Sequence, residues 1–265
     1  QCDSCNRYYR GRLPPNAHLQ PIASGATFER LSIDLTGPHP RSRRGSLYIL
    51  SCLDHFTKWA ECFPLPNKEA ATVARVLVEQ VFCRFGLPLS ILSDKGKEVD
   101  DNITNEICRL LGIDKMRTTS YKPSTNAAVE RFHRTLNSLL GKVVAENQRD
   151  WCSWLPYVMA AYRSTRHEST QYSPNYLVLN REARMSFDVV YGSMPEEAAP
   201  ATYDDYVTEV HDRMRRAFVP VLRQLGEAAL RYKHYYDLRV RLCTFSVGDQ
   251  ILYFNPRRRA DRQEK

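Results

Sequence analysis

The order of apolar and polar residues in the first part of the chain predicts a sheet that begins with an antiparallel meander. Residues 28–37 alternate in the manner of a strand and end at a Gly-Pro turn. Residues 46–56 form a continuous apolar run, typical of a strand buried on both faces, and 60–65 add a third strand. A helical stripe over 69–85 precedes a short strand, 89–94, that ends on an aspartate.

The next part of the chain alternates helices and strands. A helix is predicted over 101–112, a strand over 113–120, and a second helix that begins within 124–136. A helix rich in aromatic residues follows at 150–166, and a long charged helix at 203–238. Three strands followed by this alternation predict an α/β fold, with a mixed five-stranded sheet and helices on both of its faces.

The helix that begins within 124–136 has an acid at the margin of its apolar side. Glu130 stands next to the apolar stripe, near the helix start, with Arg131 and Arg134 close by. The helix dipole favours an acid in the first turn, but the same position also suits one member of a metal-binding set. The residues predicted to be buried recur at helical spacing: Val129, Phe132, Leu136, Leu139, Leu140 and Val143.

The composition indicates a globular chain with an excess of positive charge. Of 265 residues, 43% are hydrophobic and 26% charged, and the formal net charge is +8. This balance argues against disorder and favours a polyanionic partner such as nucleic acid. No run of about 18 apolar residues occurs, so no membrane partner is predicted. Apart from Cys2 and Cys5, the eight cysteines are scattered singly, which is typical of reduced thiols.

Three acids are predicted at strand ends or a helix start, where sheets of this kind commonly place catalytic groups. They are Asp34 in the first strand, Asp94 at the end of the fourth, and Glu130. Any one of them could instead cap a turn. Burying Asp34 between apolar neighbours is costly, however, unless it is paired or bound to a cation. Such oxygen ligands suit Mg²⁺ or Mn²⁺, and two ions about 3.5–4 Å apart can clamp an in-line phosphoryl displacement.

The spacing and surroundings of these acids resemble a known family. Between Asp94 and Glu130 lie 35 residues, and with Asp34 upstream this is similar to the D,D-35-E signature of retroviral and retrotransposon integrases. The stretches FERLSIDLTGPHPRSRRG, LDHFTKWAECFPLPNKEA, ILSDKG and NAAVERFHRTL resemble the Ty3/gypsy class of long-terminal-repeat elements. The likeness extends from the opening CxxC to YDLRVRLCTFSVGDQILYFNPRRR, over nearly the whole chain.

The resemblance implies a fold and an order of domains. It implies an RNase H-like catalytic core over 24–185, preceded at 1–23 by the tail of a zinc-binding module and a linker. A linker with a long helix would occupy 186–240, and 241–265 would begin a truncated SH3-like β-barrel that binds DNA. The Cys2 and Cys5 pair looks like the second half of a His-His-Cys-Cys zinc module, so Zn²⁺ is expected only in the full-length parent.

The resemblance also implies a reaction. In polynucleotidyl transfer, water first trims the DNA ends of the element, and each 3′-hydroxyl then attacks a phosphodiester of target DNA. The implied Mg²⁺ or Mn²⁺ ligands are Asp34, Asp94 and Glu130. Departures from the family pattern flank these ligands without removing one: Ala127 and Ala128 lie where a glycine is usual, and Val99 where a phenylalanine is usual.

Basic and polar residues around the acids provide candidate DNA contacts. Arg134 and Asn137 lie on the helix of Glu130, and the alternative interpretation is that they only form a solvent-exposed helix face. Near the C-terminus, arginines next to Tyr253 and Phe254 suit phosphate contacts that do not depend on base sequence. The candidate contacts are Lys122, Asn126, Arg134, Asn137, Arg257, Arg258 and Arg259.

The expected partners are the DNA ends of a retroelement, target DNA and further copies of the chain. Joining two DNA ends requires at least two active sites, so a dimer or tetramer is expected. The substrate implies action in the nucleus of a host cell, after release from a larger polyprotein made in the cytoplasm. Three alternatives stay open: a domesticated, catalytically weak DNA-binding protein, a metal-dependent nuclease that cuts without joining, and, as the weakest, a zinc-binding structural module.

Overall fold

The computed structural model describes residues 25–93, 102–117, 127–145, 148–185, 188 and 202–240. Of these, the residues up to 228 belong to one compact unit, and 229–240 belong to a second. The predicted domain boundaries stay predictions, and the predicted β-barrel at 241–265 lies outside the described residues.

A five-stranded sheet forms the centre of the first unit. Its strands are β1 (Arg30–Thr36), β2 (Tyr48–Asp54), β3 (Ala60–Leu65), β4 (Ser90–Ser93) and β5 (Asp114–Arg117), in the spatial order β3-β2-β1-β4-β5. The first three form the predicted antiparallel meander, whereas β4 and β5 run parallel to β1. The mixed sheet is therefore confirmed, with β1 at its centre.

One face of the sheet is covered by the helical segments before and after β4. The segment before β4 consists of α1 (Ala70–Val76), a π-helical stretch (Leu77–Phe82) and a short helical turn (Cys83–Phe85). The segment after β4 is α2 (Asn102–Leu110). This face joins strand residues to helix residues in one apolar cluster: Leu31, Ile33, Leu50, Cys52, Val73, Leu77, Val81, Phe82, Ile91 and Cys108.

The other face is covered by α3 (Ala127–Val143) and α4 (Trp151–Ser164). Ile49 and Leu53 of β2 contribute to this face, while Leu50 and Cys52 contribute to the first, so the prediction of a strand buried on both faces is confirmed. The core side chains of α3 are Val129, Phe132, Leu136 and Leu140.

The predicted burial of Val143 is wrong. Its side chain lies in the last turn of α3 and is 38% exposed, whereas Leu140, one turn earlier, is 8% exposed. The next residue, Val144, packs against the same core, so the buried side continues from Leu140 to Val144 and leaves Val143 beside it.

Two further helices complete the described fold. The predicted long helix is confirmed as α6 (Tyr203–Asp237), whereas the short α5 (Pro174–Leu179) is not predicted by the apolar period. Ser173 caps α5 by accepting a hydrogen bond from the Tyr176 amide at 3.0 Å, and proline occupies the first helical position, as is favoured there. Among the helices of the described residues, none combines the length and apolar character needed to cross a bilayer.

Candidate active site

Polar side chains alternate with apolar ones along β1, the central strand. Leu31 and Ile33 point into the apolar cluster under α1 and α2. Because successive side chains of a strand point to opposite faces, Ser32, Asp34 and Thr36 lie on the face covered by α3 and α4. The first of these polar residues, Ser32, is fully buried. The alternation therefore brings a carboxylate to the second face, at the middle of the sheet.

The Asp34 carboxylate contacts both its own strand and α3. Its Oδ1 accepts a hydrogen bond from the Leu35 amide at 2.8 Å. Its Oδ2 lies 3.4 Å from Nδ1 of His133, and the two side chains are 21% and 12% exposed respectively. The carboxylate is thus open enough to meet a ligand from solution, and one of its oxygens faces an imidazole nitrogen.

A second histidine, His39, lies in the loop after β1 and contacts residues of β1 and α4. His39 Nε2 is 3.1 Å from Thr36 Oγ1, and the His39 ring packs on Trp151 with ring centroids 5.5 Å apart. Trp151 Nε1 in turn donates a 2.8 Å hydrogen bond to the Pro40 carbonyl. Burial, followed by the charge of His39, lowers the pKa of His133 to about 4, so its ring is neutral near pH 7. Burial also lowers the pKa of His39.

The predicted acid of α3 lies in the first turn of that helix. Glu130 is exposed, and His133 follows three residues later, next to it on the helix surface. Arg134 and Asn137 are also exposed, one and two turns beyond Glu130. The contact between α3 and the Asp34 carboxylate is made by His133, three residues after Glu130.

The third predicted acid follows the end of β4 in sequence. Ser93, the last residue of β4, is paired in register with Ile33, so Asp94 and Asp34 come directly after paired residues of neighbouring parallel strands. Asp94 itself lies outside the described residues. The other predicted site residues outside them are Cys2, Cys5, Lys122, Asn126, Arg257, Arg258 and Arg259.

The donor set suits a hard divalent cation. Asp34 and Glu130 offer carboxylate oxygens, which are the ligands that Mg²⁺ and Mn²⁺ prefer. Within the described ranges, no three His, Cys, Asp or Glu side chains are grouped as a metal site. These ranges hold two of the three predicted ligands, and both residues fit the chemistry of the expected ions.

Sequence reasoning missed His133 and His39 as parts of this site. The only signal for His133 is its position three residues after Glu130 in VERFHRTL, on the same side of a predicted helix. No periodicity marks His39, because it lies in the loop after β1 and reaches the site through its contact with Thr36.

Comparison with known proteins identifies the class of this fold. Residues 26–123 match the integrase core domain family. A chain of the simian T-cell lymphotropic virus intasome, solved in complex with the PP2A regulatory subunit B56 gamma, has the same fold. It aligns with a TM-score of 0.52 and 17% identity over 76% of this chain and 68% of that one. The predicted RNase H-like fold of the core is confirmed.

Similar sequences come from retroelement polyproteins. The chain is 29% identical over 230 residues to the retrovirus-related Pol polyprotein from transposon 412 of Drosophila melanogaster, which covers 86% of this chain and 18% of that protein. It is 34% identical over 134 residues to the Pol polyprotein of radiation murine leukemia virus (strain Kaplan), covering 50% of this chain and 23% of that protein. The chain thus spans less than a quarter of the length of each of these two relatives.

Residues 26–123 thus match the integrase core domain family, and the similar sequences belong to retroviral and transposon Pol polyproteins. The resemblance to this family is therefore confirmed. The matched range includes Asp34 and Asp94 and ends before Glu130.

Proposed function

We propose that this protein is a polynucleotidyl transferase that trims the 3′ ends of retroelement DNA and joins them to target DNA. The observation that carries the proposal is the placement of Asp34. It is a partly exposed carboxylate on the central strand of an integrase core domain, next to the helix turn that bears Glu130. The 35-residue spacing from Asp94 to Glu130 supports the same conclusion.

The proposed roles follow from the chemistry of each side chain. Asp34, Asp94 and Glu130 would hold two Mg²⁺ or Mn²⁺ ions. When bound, such a pair supplies Lewis acidity for the charge that develops on the attacking and leaving oxygens. Arg134 and Asn137, exposed on the helix of Glu130, would bind the phosphodiester and orient it for in-line attack.

Both steps of the proposed reaction exchange one P–O bond for another. In trimming, water attacks the phosphorus and a DNA 3′-hydroxyl leaves. In joining, that 3′-hydroxyl attacks a target phosphodiester, and a target 3′-oxygen leaves with the proton balance restored by solvent. No covalent protein nucleophile is required, and the number of phosphodiester bonds is conserved in joining, so no energy-rich co-substrate is needed.

The rest of the proposal concerns the assembly around this core. Lys122 and Asn126 would line the DNA groove, and Arg257, Arg258 and Arg259 would contact phosphates without base specificity. A dimer or tetramer would act on both DNA ends in the nucleus. Cys2 and Cys5 would supply two of the four ligands that a structural Zn²⁺ needs.

The test is a strand-joining assay on a branched DNA substrate with Mg²⁺ or Mn²⁺, using the full-length parent protein and its Glu130→Gln variant. The amide keeps the shape of the side chain and removes the charge of the ligand. We expect joining by the parent and only background product from Glu130→Gln. Glu79→Gln, a change at another exposed glutamate, on the π-helical stretch that covers the other face of the sheet, should behave as the parent.

The outcomes separate the proposal from its alternatives. If the parent binds DNA but neither cuts nor joins, the protein is a DNA-binding derivative of an integrase. If it cuts the substrate and never joins, it is a nuclease. If Glu130→Gln joins DNA as fast as the parent does, the assignment of Glu130 is wrong.

A further inference from the structure

His133 is the α3 residue that contacts the candidate ligand of β1. Its neighbours Val129, Phe132 and Leu136 anchor α3 in the core of the second face. The imidazole lies at the margin of that core, only 12% exposed, with its Nδ1 3.4 Å from Asp34 Oδ2. The proposed roles of the three acids make no use of this ring.

The surroundings of the ring decide which nitrogen carries the proton. His133 Nε2 is buried and has no hydrogen-bond partner among the described residues. A proton on Nε2 would leave a buried N–H without an acceptor and would turn the lone pair of Nδ1 towards a carboxylate, so both changes are unfavourable. The geometry therefore assigns the proton to Nδ1, which makes this nitrogen a donor towards Asp34.

The ring is also held in place from its sides. The Phe132 ring lies at a centroid distance of 5.9 Å, and Phe132 itself is fixed edge-on against Tyr162 at 5.1 Å. At 3.4 Å, the separation of Nδ1 and Oδ2 is longer than an ordinary N–H···O hydrogen bond. Such contacts commonly tighten when the site is occupied.

We propose that His133 is a positioning residue that donates a hydrogen bond from Nδ1 to Asp34 Oδ2 and so holds the carboxylate in its ligand rotamer. This inference rests on the proposed function, because it takes Asp34 to be a metal ligand. The hydrogen bond restricts the rotation of the Asp34 side chain before a cation arrives.

The test measures Mn²⁺ binding rather than catalysis. Mn²⁺ is titrated into the full chain without DNA, and free ion is followed by electron paramagnetic resonance. His133→Leu keeps an apolar side chain against Phe132 and removes the donor. We expect it to weaken Mn²⁺ binding by about 10-fold or more, as for other residues that orient metal ligands. His133→Asn places an amide donor close to the position of Nδ1 and should restore most of the affinity.

Three further variants separate this inference from the proposed function. Ser138→Leu, an exposed change two turns beyond Glu130 on α3, should bind Mn²⁺ as the parent does. Asp34→Asn should weaken binding strongly. In the Asp34→Asn background, His133→Leu should have no further effect, because His133 acts through the Asp34 carboxylate. Thermal unfolding of each variant identifies any that fails to fold, and His133→Asn then decides the comparison with the parent.

Different results overturn different claims. If Asp34→Asn weakens binding and His133→Leu does not, the positioning role is wrong and the metal assignment stands. If His133→Asn is no better than His133→Leu, the donor is not what matters, and the positioning role is again wrong. If Asp34→Asn binds Mn²⁺ as the parent does, Asp34 is not a ligand, and the proposed metal site fails together with the inference.

Discussion

Asp54, at the end of β2, is fully buried and yet well provided with hydrogen-bond donors. Its Oδ2 accepts from the Thr57 amide at 2.9 Å and from the Thr57 hydroxyl at 2.6 Å, and its Oδ1 accepts from the Phe28 amide at 3.2 Å. The residue therefore ties the β2–β3 turn to the segment that leads into β1, the strand that carries Asp34.

Replacing this carboxylate tests how much the network contributes. In Asp54→Asn, an NH₂ group replaces one of the two carboxylate oxygens. It then faces the N–H and O–H donors that this oxygen accepted from, so a buried N–H is left without an acceptor. We expect the free energy of unfolding to fall by about 2–4 kcal/mol in urea denaturation. Asp114→Asn, an exposed change at the start of β5, should alter it by less than about 0.5 kcal/mol. Equal effects of the two variants would contradict a stabilising role for the Asp54 network.

Single residues of the site differ in how far sequence alone could predict them. Asp34 and Glu130 are predicted because a charged residue stands out in an apolar strand or beside an apolar stripe, and their roles as ligands stay predictions. The contact of His133 with Asp34 could not be predicted in this way, because it depends on how α3 lies across β1. The place of Asp94 in the site stays a prediction, since that residue lies outside the described ranges.

At the scale of elements, the apolar period predicted the strands and the long helices, because one-sided burial imposes that period on a sequence. The short helix α5 was missed, since its signals are a Ser173 cap and a following proline rather than a repeat. Within α3, the repeat predicted the buried side correctly as far as Leu140 but extended it to Val143, whereas the contact with the core continues at Val144, one residue beyond the helix. The apolar period locates the buried side of a helix only to within one residue, because residues three and four positions apart both lie near the same face.

Two substitutions in α3 test this difference. Leu136 is 2% exposed, so Leu136→Ala should lower the free energy of unfolding by about 2–5 kcal/mol through lost burial and a cavity. Val143→Ala removes a 38% exposed side chain, and alanine is the better helix former, so stability should change by less than about 0.5 kcal/mol. Urea denaturation measures both, and a loss at Val143 comparable to that at Leu136 would restore the prediction that Val143 is buried.

For the whole molecule, the buried histidines link stability to pH. Burial, followed by the charges of Lys58 and Arg30, lowers the pKa of His55 to about 3. Burial, followed by Lys58 and Arg131, lowers the pKa of His167 to about 4. In the unfolded chain both rings return to about 6.5, so they take up protons below that pH when the protein unfolds.

The sign of the effect follows from this uptake. The contribution of each histidine to stability is fully present above about pH 6.5 and is lost as the pH falls towards the lowered pKa of the folded state. Over that window, each ring should reduce the free energy of unfolding by up to about 1.4 kcal/mol per pH unit. The raised pKa of the buried Asp54 acts in the opposite direction, because its folded state takes up a proton more readily than its unfolded state.

Urea denaturation at pH 7, 6 and 5 should therefore show that the free energy of unfolding decreases as the pH decreases. His167→Gln should make this decrease shallower. His211→Gln, an exposed change on α6, should leave the slope as it is in the parent. The comparison uses slopes because His167→Gln also removes the contact of the ring with Ser169, which shifts stability equally at every pH. If the parent and His167→Gln had the same slope, His167 would be protonated equally in the folded and unfolded states, and its burial in the fold would have no electrostatic cost.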